Sequence, residues 1–319
     1  MSEFDIIAHY FANHTEHRSD VLIGIGDDAA IVNVPEEHQL AITTDTLIAG
    51  VHFPELTTPY DIGYKSLAVN LSDLAAMGAK PSWVTMALTM PDENKDWIQA
   101  FCDGFFTLAN RHRIQLIGGD LTHGRLSITV QALGLISPGK AILRSKANAT
   151  DLIYVTGNVG DAGLALQFLQ KKLDLNPTYQ RQVLERLNRP EPRITTGQRL
   201  LSLASAAIDI SDGLAADLGH ILKQSHVGAI VYVDQLPLSE ALTRSMSPTA
   251  AIALALTAGD DYELCFTIPA EKRGELEKQL ASIPCRFTCI GEITMQPGLK
   301  LRYKDGRNYH GPILGYQHF

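Results

Sequence analysis

The stretch AAIDISDGLAADLGHILKQS, residues 206–225, decides the fold: an apolar run ends in a turn of small residues carrying aspartate, and a helix follows over 214–225. In it Asp209 and Ser211 point to the same side of an extended segment, while Asp212 is placed to cap a helix whose N-terminus favours anions. Working outward, five more apolar runs end in the same way: GIGDDAA (24–30), TTDTL (43–47), NLSDLAAMGA (70–79), IGGD (117–120) and AGDDYEL (258–264). Their carboxylates are flanked by Gly, Ser and Thr rather than by Lys or Arg. Two carboxylates about 4 Å apart repel by roughly 4 kcal/mol at the effective dielectric of a protein surface. Gathering several acids therefore makes sense if divalent cations join them, and Mg²⁺ fits because it takes a few carboxylates and completes its shell with water and phosphate. A single Asp–Gly or Ser–Asp turn is as readily loop punctuation. Six together point to a magnesium–phosphate site.

A chain of 319 residues suits two domains of ordinary size. With 45% hydrophobic and 19% charged residues and 25 Gly it is globular and loop-rich. The net charge of −8 argues against nucleic acid as a partner and leaves no basic stripe for an anionic membrane. MSEFDIIAHYF reads as an amphipathic helix rather than a signal peptide, and no run has the length of a membrane span, so a cytoplasmic protein is expected. Four cysteines make no disulfide framework, and Cys285 and Cys289 lack the further ligands of a zinc site.

The first half alternates: a helix near 3–13, strands at 30–34 and 40–44, a helical stretch from 61, and a helix from 93 to about 112. That last helix opens with Asp92 as its N-cap and buries Trp97, Phe101, Phe105 and Leu108. IQLI is a short strand leading into Gly118-Gly119-Asp120, and LSITVQAL (126–133) alternates as a half-exposed strand. SPGK (137–140) is the expected junction between a metal- and nucleotide-binding domain, 1–137, and a C-terminal α/β domain, 138–319. The second half continues with the strand LIYVTG, a glycine turn opening a helix, and NRPEPR breaking the chain between helices. Strand–helix alternation then resumes through a helix near 248–257, the strand YELCFTI, a helix over 270–282 and the strand FTCIGEI. GNVGDAG departs from the G-x-G-x-x-G spacing, so strand–helix packing or a phosphate contact is the better account of it than a nicotinamide site.

Asp28 sits in a glycine-flanked turn that lets a ligand approach the backbone. Thr43, Thr44 and Asp45 offer hydroxyl, carbonyl and carboxylate oxygens, all hard ligands suited to magnesium. Asp73 is either a metal ligand or the N-cap of a short helix. Asp120 follows two glycines whose amides could meet a phosphate, and Arg144 is either a phosphate clamp or a surface arginine. A P-loop, a protein-kinase motif set and a nucleophile elbow are all missing.

Taken together, GIGDDAA, TTDTLIAGVHF, YKSLAVNLSDLAAMGAKP, IGGDLTHG, LRSKA, DLIYVTG, AIDISDGLAADLGHI, GDDYELCFT and the terminal GYQHF resemble the thiamine-monophosphate kinase family of the PurM/AIR-synthetase-like superfamily. The resemblance runs in order from about residue 20 to the last residue. It implies an α/β (α+β) two-domain architecture whose N-terminal sheet completes a barrel across a homodimer, so that the N-terminal domain is also the dimerisation domain. It implies ATP-dependent phosphorylation of thiamine monophosphate to thiamine diphosphate with several Mg²⁺ ions. Carried over by motif, Asp28, Thr43, Thr44, Asp45, Asp73, Asp120, Asp209 and Asp212 are metal ligands. Gly119, Asp120, Arg144 and Ser211 contact ATP, and His52, Asp260 and Tyr316 line the acceptor site. No dedicated catalytic base is implied, since the acceptor is already an anionic phosphate oxygen.

The chain departs from the family pattern at RSKANATD, where Lys146, Ala149 and Thr150 replace residues of a tight turn, at Asp260, where a glutamate is usual, and at Leu121 and His123. The alternatives are another ATP-dependent synthetase of the superfamily, which would lack the His52 and Tyr316 features, and a non-catalytic magnesium–nucleotide sensor. A third alternative, a metal-dependent phosphatase, would release inorganic phosphate with no acceptor, and the chain shows no water-activating His-rich constellation to support it.

Overall fold

The computed structural model describes residues 3–12, 14, 17–313 and 315. The chain divides into two compact units, Met1–Leu74 with Ala79–Gly139, and Ala75–Gly78 with Lys140–Phe319.

The first unit opens with helix α1 (Glu3–Ile6), which widens into a π-type turn over Ile7–Phe11. Strands β1 (Val21–Ile23) and β2 (Ile31–Val32) pair as a small ribbon, followed by β3 (Gln39–Ile48) and helix α2 (Pro59–Ala76). Strand β4 (Lys80–Met90), helix α3 (Lys95–Arg111), β5 (Gln115–His123) and β6 (Ser127–Ile136) complete it. The sheet runs β3-β6-β4-β5, with β4 and β5 parallel and the other pairs antiparallel.

The alternation anticipated over 126–133 is observed in β6: Ile128, Val130 and Ala132 are buried, and Thr129 and Gln131 face the other way. Helix α3 buries Ile98, Phe101, Phe105 and Leu108, with Trp97 only half-buried. Its cap is Asn94, whose side chain accepts from the Trp97 amide, and not Asp92, which accepts one step earlier from the Asn94 amide. Helices α2 and α3 cross at two glycines. A Cβ on Gly63 would lie 2.0 Å from the Phe101 carbonyl oxygen, and one on Gly104 1.9 Å from that of Tyr60, so larger residues would force the helices apart.

The second unit contains β7 (Leu152–Thr156), α4 (Asp161–Leu169), α5 (Pro177–Asn188), α6 (Ile194–Leu200), β8 (Ala206–Asp209) and α7 (Leu214–Ser225). It continues through β9 (Gly228–Tyr232), α8 (Glu240–Ser245), α9 (Pro248–Thr257), β10 (Leu264–Ile268), α10 (Arg273–Leu280), β11 (Phe287–Thr294) and β12 (Gly298–Arg302). Its six-stranded sheet runs β12-β9-β11-β7-β10-β8 and is antiparallel except where β12 joins β9. The core packs Ile208, Leu214, Leu218 and Ile221 with Ile153, Val155 and Ile290. Each fully buried aliphatic side chain contributes roughly 1.5–3 kcal/mol. Helices α7 and α9 begin and end where the sequence places them; the short β1, β12 and α8, and the eleven-residue β4, are not anticipated from it.

Candidate active site

Only three of the six acidic stretches are turns. TTDTL lies inside β3, IGGD inside β5, and Asp73 within the last turn of α2, so Asp73 caps no helix start. Glycine and small polar residues serve a different purpose in each place. In β5 a Cβ on Gly119 would come within 1.9 Å of the Met86 carbonyl oxygen of β4, so this glycine is demanded by strand packing. The register slips between Val84 and Thr85, which pair with Leu116 and Gly118, and the bulge re-aims the strand after Ile117.

Within the first unit this bulge opens onto a cleft of about 700 Å³. Its acidic side carries Asp27, Asp28 and Asp120 with Gly118 and Gly119, and its apolar side carries Ile7, Phe11 and Ile117. Gly26, at φ 118°, and Gly118 have no atoms near where a Cβ would be, so backbone is bare there. Asp28 donates its amide to the Asp27 side chain at 2.8 Å, and Asp120 accepts from the Thr122 hydroxyl at 2.9 Å.

A second acidic group lies where β3 faces α2. Thr43 donates its hydroxyl to Asp73, and the Asp45 amide donates to Asn70 at 3.1 Å. Burial first, and then the Asp73 charge, push the Asp45 carboxyl up to about 6. Thr44, one residue out of phase, faces the opposite side of the sheet and accepts from the Gln131 side chain at 3.3 Å. Its side chain is therefore separated from those of Thr43 and Asp45. Among the described residues none of Asp28, Asp45, Asp73 and Asp120 makes an ion pair. Asp20 is the contrast: burial works to raise it, but bonds from Arg18 and Trp83 outweigh that and hold its carboxyl below the usual range.

In the second unit β8 ends at Asp209, which is buried. The turn beyond it differs from expectation. Asp212 does not cap α7; the cap position is Gly213, at φ 118°, with no side-chain cap. The amides of Ser211, Asp212 and Gly213 all donate to one oxygen of Asp217, at 3.1, 3.0 and 3.1 Å. The anion site expected at this helix start is filled from within. Asp217 is itself 2% exposed. Burial drives its carboxyl up to about 7 against the pull of the amides.

The loop 258–263 is stapled to that turn, the Asp260 amide donating to the Ser211 carbonyl at 2.9 Å and the Tyr262 amide to that of Ile210 at 2.8 Å. Asp260 and Tyr262 both hold positive φ, and the Tyr262 hydroxyl donates to Asp260 at 3.1 Å. Asp261 and Glu263 point inward. Asp261 accepts from the Gly160 amide at 2.7 Å, and burial drives its carboxyl well above the ordinary range. Glu263, 0% exposed, accepts from Arg186 at 2.6 Å, from Arg193 at 2.6 and 2.5 Å, and from Thr156 at 2.6 Å.

Arg144 is exposed, and its loop is pinned by Ser225, which donates to the Arg144 carbonyl at 2.8 Å and accepts from the Ala147 amide at 3.1 Å. His52 accepts from the Ile48 amide through Nδ1 at 3.0 Å, which puts the proton of its neutral ring on Nε2. Tyr316 lies outside the described residues. Asp217 and Glu263 escape a reading that looks for acids in turns, although each carries a signal: Asp217 falls on the Leu214–Leu218–Ile221 apolar stripe of α7, and Glu263 borders the apolar strand LCFTI.

Residues 26–136 match the N-terminal domain of AIR synthase related protein, and residues 149–304 its C-terminal domain. The thiamine-monophosphate kinase of Escherichia coli (strain K12) is 48% identical over 318 residues, covering 99% of this chain and 98% of its own. The crystal structure of thiamine-monophosphate kinase from Stenotrophomonas maltophilia K279a superposes with a TM-score of 0.86 at 48% identity, covering 92% of this chain and 93% of its own. AaThiL complexed with AMPPCP and TMP superposes with a TM-score of 0.78 at 29% identity over 92% of each chain. Two family-matched domains on a two-domain α/β fold, with high identity along the whole chain, have one consequence: within the AIR-synthase-related proteins, the chain belongs to the thiamine-monophosphate kinases, a family of phosphotransferases.

Proposed function

We propose that this protein transfers the γ-phosphoryl group of ATP directly onto the phosphate of thiamine monophosphate, giving ADP and thiamine diphosphate. The observation that carries the chemistry is the Asp45–Asp73 pair, two acids on facing elements that make no ion pair among the described residues, with a Thr43 hydroxyl and Asn70 amide oxygen at hand. An all-oxygen donor set of like charge fits Mg²⁺. Family membership, and the AMPPCP and TMP held by AaThiL, support the two substrates.

In this reading Asp28, Thr43, Thr44, Asp45, Asp73, Asp120, Asp209 and Asp212 hold several Mg²⁺ ions, Thr44 through its carbonyl. Bound there, magnesium supplies neutralisation of phosphate charge. The chain does the rest by positioning. Gly119, Asp120, Arg144 and Ser211 orient ATP. His52, Asp260 and Tyr316 hold the acceptor, with the His52 ring fixed by Ile48 so that Nε2–H is the donor. Since the acceptor oxygen is ionised at neutral pH, no residue has to remove a proton from it.

Domain 1–137 carries most of the metal ligands together with Gly119 and His52, and domain 138–319 contributes Asp209 and Asp212 toward metal, Arg144 and Ser211 toward ATP, and Asp260 and Tyr316 toward the acceptor. The protein acts in the cytoplasm; among the described residues no helix is long and apolar enough to cross a membrane. A homodimer is part of the proposal. β3 is a ten-residue edge strand exposing Leu40 (39%) and Ile42 (57%), and an uncovered apolar edge is a surface that a second copy closes into a barrel.

The test is stoichiometric. Purified protein with ATP, Mg²⁺ and thiamine monophosphate should yield ADP and thiamine diphosphate in equal amounts, and EDTA should stop it. Free phosphate in place of the diphosphate would indicate hydrolysis, and nucleotide binding without product a sensor; either result rejects the proposal.

A further inference from the structure

We infer that Asp217 is a positioning residue: it fills the anion nest at the start of α7 with an internal carboxylate and thereby fixes the turn that presents Ser211 and Asp212. This rests on the proposed roles of Ser211 and Asp212 toward ATP and magnesium.

Three backbone amides converging at a helix start form a ready phosphate site. Here all three, those of Ser211, Asp212 and Gly213, donate to one Asp217 oxygen within 3.1 Å. No phosphate can use them while Asp217 is in place. The carbonyls of the same segment are taken as well, Ile210 by the Tyr262 amide and Ser211 by that of Asp260. Side chains are excluded at both neighbouring glycines. A Cβ on Gly213 would lie 2.8 Å from the Thr257 carbonyl carbon, and one on Gly259 2.2 Å from the Ser211 oxygen. With the amides of 211–213, the carbonyls of Ile210 and Ser211 and both glycines committed inward, the turn offers the Ser211 and Asp212 side chains, and both stay half-buried. Asp217 thus converts a backbone anion site into a rigid mount for two side chains. An acid on an otherwise apolar helix stripe has in this mount a reason to be there.

Two readouts test this. Amide exchange should show residues 211–213 protected in the wild type and opened in Asp217→Ala, with the amides of the later turns of α7 unchanged. In kinetics, Asp217→Ala should raise KM for ATP by roughly tenfold or more and leave KM for thiamine monophosphate within about twofold. Asp217→Asn, which keeps an acceptor oxygen and the side-chain shape, should recover part of both effects and guards against a variant that fails to fold. Leu218→Ala, buried on the same helix, controls for general loosening and should lower Tm without the ATP-selective change. The inference is overturned if both Asp217 variants keep wild-type exchange at 211–213, or if Leu218→Ala reproduces the same KM pattern. A wild type that makes no thiamine diphosphate would refute the proposed reaction, while the exchange result would still decide what Asp217 holds.

Discussion

Asp45 on β3 and Asp73 on α2 form a like-charge pair with uncharged neighbours, the Thr43 hydroxyl donating to the Asp73 carboxylate and the Asp45 backbone amide donating to Asn70. Two electrostatic penalties meet there. One is the mutual repulsion that, after burial, raises Asp45. The other is the position of Asp73 in the last turn of α2, which holds no basic residue and where the helix dipole disfavours an anion by roughly 0.3–1 kcal/mol. Neither has a structural benefit to offset it. A cation ligand supplies one.

Asp73→Asn should therefore separate function from stability. Turnover is expected to fall by at least about a hundredfold, while the metal-free protein melts higher, by roughly 1–2 °C for about 1 kcal/mol in a chain of 319 residues. Thermal unfolding in EDTA beside a coupled ADP assay checks both. Retained activity at sub-millimolar Mg²⁺ would remove Asp73 from the metal site.

The same pair makes a pH prediction. The folded Asp45 carboxyl titrates at about 6, above its ordinary value of 3.8, so the folded state binds its proton more tightly than the unfolded chain. The stability this contributes is full below about pH 4 and is lost as pH rises through about 6. Wild type minus Asp45→Asn isolates the contribution from those of other carboxylates. In EDTA the difference should grow more unfavourable to wild type between pH 4 and 7. Added Mg²⁺ should reverse it at pH 7 and above, because metal binds the deprotonated form. A difference flat with pH would show that Asp45 is not perturbed.

How far the sequence can be read follows the same physics. Amphipathic period locates α7, because Leu214, Leu218 and Ile221 must share a face, and Pro248 suits the first turn of α9. The acids are legible as a set, but their local structure is not. TTDTL, IGGD and NLSDLAAMG have turn composition, yet tertiary contacts place them in strand and helix: Gly119 against the Met86 carbonyl, Asp73 against Thr43. Partners of this kind are distant in sequence. The two arginines on Glu263 are invisible for the same reason, since they join residues 70 or more apart, whereas the hold of Asp217 on 211–213 is local and escapes because it is a side chain bonding back to backbone.

Arg144→Ala should raise KM for ATP severalfold and leave the acceptor KM unchanged. The side chain is exposed while its backbone is tied to Ser225, so its removal disturbs no packing and the effect reads as lost charge on the nucleotide. Arg144→Lys should recover only part, because a point charge does not replace a planar fork. ATP kinetics unchanged in Arg144→Ala would return it to the surface.

Glu263 should matter to the fold more than any acid of the proposed metal set. Its carboxylate, 0% exposed, accepts from both Arg186 and Arg193, whose side chains are 23% and 14% exposed. Burial works against the Arg193 charge, but its bonds to Glu263 outweigh that and the net shift is upward. Glu263→Gln leaves two guanidinium groups in a poorly solvated site with one neutral acceptor, and breaking a buried pair in this way costs about 3–5 kcal/mol. Denaturant unfolding should show a lower midpoint with the slope unchanged. Buried charges are little screened, so the loss should persist at about 1 M salt, unlike that of an exposed pair such as Arg244–Glu240. Asp260, three residues earlier on the same loop, offers the functional check: if the network anchors the loop, Glu263→Gln should also weaken thiamine monophosphate more than ATP. A variant as stable as wild type, or one whose loss disappears in salt, would show that the two arginines are solvated in solution and the network does not hold the loop.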